Sequence, residues 1–119
     1  MDAYLADPLC GGNASVGLFR EMLGGMAFVS DRGNLKRMNA ATPVLFVSGE
    51  MDPVGDCGKG VRRAYESFRR AGARQAELRL YPGLRHEILN ETGHEQVYED
   101  IARWLEGVLE KKRDKLVGV

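Results

Sequence analysis

Only two of the 119 residues are cysteine, Cys10 and Cys57, and they lie far apart in the chain. That is too few for a disulfide framework or a thiolate metal cage, and it fits a reduced compartment. An excess of charge is also missing, because 17 Lys+Arg balance 17 Asp+Glu. Without a net positive field there is no electrostatic case for a nucleic-acid partner or an anionic membrane surface. No stretch approaches the roughly 18 to 20 consecutive apolar residues of a membrane span. The opening Met1-Asp2-Ala3-Tyr4-Leu5 has neither the basic nor the apolar region of a signal peptide. The expectation is a protein with no transmembrane segment, located in the cytoplasm. Internal repeats and low-complexity tracts are lacking as well. At 44% hydrophobic residues the chain can still form a core, and its length allows one domain.

What is present reads as an alternation of helices and strands. Met1 to Asn13, with Pro8 and Gly11-Gly12, reads as a loop. Ser15 is placed to N-cap a helix whose Leu18, Phe19, Met22, Leu23 and Met26 recur at helical spacing. Ser30 to Thr42 is polar and reads as a solvated connection. Val44-Leu45-Phe46-Val47 is then a continuous apolar run of strand formers, which predicts a strand buried on both faces and therefore a parallel one. After a turn-rich segment, Val61, Ala64, Tyr65, Phe68 and Ala71 predict a helix that Gly72 stops, with Asp56 as its cap. Ala76, Leu78 and Leu80 alternate with Glu77, Arg79 and Tyr81, which predicts a second strand with one wetter face. Val97, Ile101, Trp104, Leu105, Val108 and Leu109 share one stripe of a last, amphipathic helix whose basic tail is expected to fray. Two strands joined by a helical crossover make a βαβ unit, so the fold class is α/β.

In open α/β sheets chemistry collects beyond the carboxyl ends of the strands. The loop after the first strand carries Asp52 and the loop after the second carries His86. Neighbouring strands run about 5 Å apart, so the two side chains can meet across the loop mouths. A carboxylate that holds the histidine Nδ1–H fixes the tautomer and stabilises the imidazolium formed when Nε2 takes a proton. Asp before Pro is also common in ordinary turns, and a loop histidine is more often simply solvated. The partner nucleophile is not evident. No G-x-S-x-G elbow occurs; Asn13-Ala14-Ser15-Val16-Gly17 lacks the first glycine, and Ser48 stands in Phe46-Val47-Ser48-Gly49-Glu50. Cys57 lies near a helix start, where packing is the commoner role for a small thiol.

Two look-alikes fail on spacing. Gly55-Asp56-Cys57-Gly58-Lys59-Gly60 has a glycine where a phosphate loop needs Ser or Thr, and Pro53 where it needs its first glycine. A nucleotide- or phosphate-binding βαβ half is therefore a third and weaker reading, since it requires a working glycine loop after the first strand. His86-Glu87 and His94 are too far apart for the H-E-x-x-H zinc pattern. No metal and no cofactor is expected.

The string from Pro43 to Val54, together with Tyr81-Pro82-Gly83-Leu84-Arg85-His86-Glu87 and the amphipathic helix after it, resembles the C-terminal part of α/β-hydrolases. Within them it looks like the S33-type serine aminopeptidase branch of lysophospholipases and monoacylglycerol lipases. The resemblance implies that Asp52 is the acid and His86 the base of a Ser-Asp-His triad, acting on a small acyl-ester or lipid substrate. The serine elbow, the oxyanion-hole loop and the early strands of that family would precede residue 1, so the chain is expected to be a fragment with little activity alone. Residues 1–42 then read as a cap-exit loop, a cap-type helix and a linker, and residues 43–119 as a C-terminal core segment of two parallel strands with flanking helices (βαβα). A different class of reading is a non-catalytic assembly module, pairing with a second copy or a complementing chain through the exposed strand edge.

Overall fold

The computed structural model describes residues 6–117. Its elements are α1 (Val16–Ser30), α2 (Arg32–Leu35), β1 (Val44–Gly49), α3 (Lys59–Ala71), β2 (Ala76–Tyr81) and α4 (His94–Val117). The strands pair in parallel, with Val44 opposite Ala76 and Gly49 opposite Tyr81. Both therefore end at the same edge of the sheet, and their following loops start side by side.

The period-two geometry of a strand sends alternate residues to opposite faces. On one face Phe46 meets Tyr65 and Phe68 of α3 edge-on, at ring-centroid separations of 6.0 and 5.1 Å. On the other face Tyr81, Ile88 and Val97 form a buried cluster joined by Val47, Leu84 and Ile101. Val97 is fully buried there, which is worth about 1.5–3 kcal/mol relative to leaving it in water. Ile88, in the loop after β2, is part of this cluster, so that loop is anchored to the core from both ends.

The sequence of β2 predicts a wetter face, and the structure gives that face a partner. Helix α4 lies over it and satisfies its polar groups: Arg79 pairs with Asp100 at 3.4 Å, Tyr81 donates to Asp100 at 3.3 Å, and the Trp104 indole N–H donates to Glu77 at 3.1 Å. Burial beside the Asp100 carboxylate, which also accepts its hydrogen bond, raises the Tyr81 hydroxyl above its usual value of 10.0, with Arg79 opposing.

Three local expectations change. Ser30 to Thr42 is not all connection, because Asp31 accepts from the Asn34 N–H at 2.9 Å and starts the short helix α2, whose Leu35 is buried. Asp56 does not cap α3 with its side chain; Gly58 is the N-cap residue, and Asp56 pairs instead with Arg63 at 3.2 Å. The basic tail continues α4 as helix through Val117. The Ser15 cap is observed, its hydroxyl accepting from Leu18 N–H at 3.1 Å, and α1 runs through Gly24-Gly25 to Ser30. Of the loop expected over Met1 to Asn13, residues 1–5 lie outside the described residues; Asp7 to Cys10 forms a turn, with Cys10 N–H donating to the Asp7 carbonyl at 3.0 Å.

Much of α1 remains open: Leu18, Phe19, Met22, Leu23 and Met26 are each about half exposed. The radius of gyration is 17.4 Å. A compact domain of this length has roughly 13.5 Å. Among the described residues, no helix is long and apolar enough to cross a membrane, and no group of His, Cys, Asp and Glu is arranged to hold a metal ion.

Candidate active site

The loops after β1 and β2 are stitched together by their backbones before any side chain contributes. Glu50 N–H donates to the Tyr81 carbonyl at 3.0 Å, and Met51 N–H donates to the Leu84 carbonyl at 2.9 Å. Gly49 is buried where the loops touch. A Cβ added there would overlap the carbonyl oxygens of Leu84 and Arg85. Gly49→Ala is accordingly expected to destabilise the fold by about 1–3 kcal/mol or more, because backbone has to move to admit one methyl group. A urea midpoint equal to that of the unsubstituted chain would disprove this account of the loop contact.

From this seam Asp52 and His86 project toward each other. The Asp52 side chain is 10% exposed and its Oδ2 lies 3.2 Å from Nδ1 of His86. Its other oxygen accepts the Val54 N–H at 2.9 Å, in the Asx turn that an Asp-Pro sequence favours. Burial tends to raise the Asp52 carboxyl, but hydrogen bonds from His86 and the Val54 N–H, the charge of His86 and the Gly55 N–H outweigh it, and the group is held below the ordinary value of 3.8. Asp52 is thus a carboxylate at neutral pH, able only to accept. The bond then places the proton on Nδ1 of His86 and leaves Nε2 with the lone pair. The His86 side chain is 59% exposed, so this nitrogen can meet another reactant.

The loop holding Asp52 carries backbone strain. Asp56 and Cys57 take φ of 53° and 48°, in the left-handed region that disfavours side chains, at a cost of order 1–3 kcal/mol each. Hydrogen bonds hold the turn: Cys57 N–H to the Asp52 carbonyl and Gly60 N–H to the Gly55 carbonyl, both at 2.8 Å. Cys57 itself is a free, exposed thiol, and its backbone N–H closes this turn. Ser15, at the start of α1, is engaged as a helix cap.

On the far side, the sequence reading missed Glu91. Its carboxylate accepts the N–H groups of Arg85 at 2.9 Å and Glu87 at 2.8 Å, the two residues that flank His86. The only signal was its nearness to the histidine, since a reach of four to six residues inside a loop has no periodicity.

A parallel sheet with helices on both faces, whose carboxyl-terminal loops bring an aspartate to a histidine, is the architecture of an α/β-hydrolase, here a part of one. The family model for serine aminopeptidase, S33, matches residues 1–93, and the chain belongs to that family. It is 32% identical over 108 residues to a monoacylglycerol lipase of Mycolicibacterium smegmatis (strain ATCC 700084 / mc(2)155), a match covering 87% of this chain and 34% of that protein. Its fold is similar to the crystal structure of a highly thermostable carboxyl esterase from Bacillus coagulans in complex with glycerol, with a TM-score of 0.78, 24% identity, and 87% of this chain and 34% of that one covered. The chain thus spans about a third of the length of both of these proteins.

Proposed function

We propose that this chain supplies the acid and the base of a Ser-Asp-His triad in a carboxylic-ester hydrolase of the lysophospholipase or monoacylglycerol lipase kind, the nucleophilic serine lying outside its 119 residues. The observation that carries this reading is the Asp52 to His86 contact at 3.2 Å, formed at the carboxyl ends of adjacent parallel strands. The substrate class is a small acyl ester or lipid, in keeping with the name of the mycobacterial relative.

In this mechanism Nε2 of His86 takes the serine hydroxyl proton as the serine oxygen bonds to the acyl carbon. Asp52 stays ionised and stabilises the imidazolium. His86 then gives that proton to the departing alcohol as the ester C–O bond breaks. A water molecule, deprotonated by the same nitrogen, attacks the acyl-serine; the carboxylic acid leaves and the serine recovers its proton. Asp52 is never protonated in the cycle, which its low-lying carboxyl permits.

Reaction with a fluorophosphonate probe, read by mass mapping, tests the proposal. No serine of this chain should be labelled stoichiometrically, while a longer polypeptide carrying a G-x-S-x-G elbow upstream should be labelled at that elbow. Stoichiometric labelling of Ser15 or Ser48, lost on His86→Ala, would overturn it by making the short chain a complete enzyme.

A further inference from the structure

We infer that Glu91 is the positioning residue for His86: its carboxylate bridges the backbone N–H groups on both sides of the histidine and so aims Nδ1 at Asp52. The inference rests on the proposed pairing of His86 with Asp52 and extends it by one residue. Its two oxygens are divided between the two donors, Oε2 taking the Arg85 N–H at 2.9 Å and Oε1 the Glu87 N–H at 2.8 Å. A carboxylate that accepts two N–H groups makes stronger bonds than a neutral acceptor and fixes the spacing of the donors.

The position of Glu91 is itself determined. Its own N–H donates to the Glu87 carbonyl at 3.0 Å, and its carbonyl accepts from the His94 N–H at 3.1 Å, at the start of α4. Ile88, between the clamped segment and Glu91, is buried in the core cluster. Asn90 adds a side-chain bond to Glu87 at 2.8 Å. His86 is thus an exposed ring on a backbone held to the β1 loop through Leu84 and to the start of α4 through Glu91. An exposed side chain has rotamer freedom to lose, and an orienting contact works only when the backbone beneath it is fixed. An ordinary turn cap would need one of these bonds; two that bracket one residue fix that residue's direction.

The test is NMR of the uniformly 15N-labelled chain at pH 9, where a histidine ring is neutral, comparing the unsubstituted protein with Glu91→Ala, Glu91→Gln and Asp52→Asn. In the unsubstituted chain the His86 ring nitrogens should report a dominant Nδ1–H tautomer, which Asp52→Asn abolishes. Glu91→Ala should speed amide exchange at Arg85 and Glu87 by about 10-fold and reduce the Nδ1–H form to roughly half. Glu91→Gln keeps one acceptor but sets an amide N–H against the second donor, so it should recover part of the tautomer preference. It also serves where the alanine variant fails to fold.

Faster exchange with an unchanged tautomer in the Glu91 variants would show a purely structural clamp and overturn the inference, leaving the Asp52–His86 pairing standing. No tautomer preference in the unsubstituted chain, and none lost in Asp52→Asn, would overturn the pairing itself and the inference with it.

Discussion

His86→Ala is expected to lower ester hydrolysis by on the order of 10⁶-fold in kcat when the protein carries its nucleophilic serine, leaving KM within a few-fold. The size follows from the dependence of each step on one nitrogen. Without Nε2 the serine keeps its proton, the leaving alcohol receives none, and the deacylating water has no base. These roles fail together, so the loss is that of the whole unit rather than a share of it. Residual activity over water comes from substrate binding and the electrostatic groups around the acyl oxygen. The chain has one other histidine, and its geometry does not suit it as a substitute. Nδ1 of His94 lies 2.8 Å from the Glu91 carbonyl, and its ring packs edge-on to Tyr98 at 5.0 Å. Steady-state rates on a short acyl ester measure the effect. A drop of less than about 10-fold in kcat would assign the base to some other group and sink the proposed role of His86.

Much of this arrangement was legible in the residues because it is written in local patterns. The unbroken apolar run Val44 to Val47 predicts a strand buried on both faces; α3 and α4 each pack on one of them, and the four residues are left half-buried rather than buried. The apolar spacing from Val61 to Ala71 gives α3 to within two residues of its N-terminus and to its last residue at the C-terminus. Asp52 and His86 could be paired because parallel strands end at one edge, so that position along the chain translates into proximity. What stayed hidden depends on three-dimensional contact. The wetter face of β2 was legible but its partner was not, since alternation cannot tell water from a helix that offers Asp100 and Trp104. Asp56 had the composition of a cap, but a left-handed turn through Asp56 and Cys57 points its carboxylate at Arg63. Glu91 was one acid among many in a polar segment until the loop folded and put two N–H groups against it.

Asp52→Asn is expected to cost about 10⁴-fold in kcat in the same serine-bearing form, less than the loss of His86 and for a different reason. The substitution keeps the shape of the side chain and the Asx turn, since the amide oxygen can still accept the Val54 N–H. It reverses the bond to the ring. An amide N–H facing Nδ1 favours the tautomer with its proton on Nε2, which has no lone pair for the serine, and the counter-charge of the imidazolium disappears. A loss of under about 10-fold would mean that His86 is oriented without Asp52, and the proposed acid would fall with it. The same variant changes acid unfolding in a direction set by the low-lying carboxyl of Asp52. The native carboxyl holds its proton less tightly than the unfolded one. Its stabilisation is therefore fully present above the ordinary value of 3.8 and is lost as pH falls through the lower native value. In Asp52→Asn that part of the acid transition should flatten, seen as a urea midpoint that varies less with pH below 3.8 than in the unsubstituted chain. If the two midpoints instead fall in parallel, the carboxylate contributes no proton-linked stability, and the hydrogen bonds from His86, Val54 and Gly55 are not what holds Asp52 ionised.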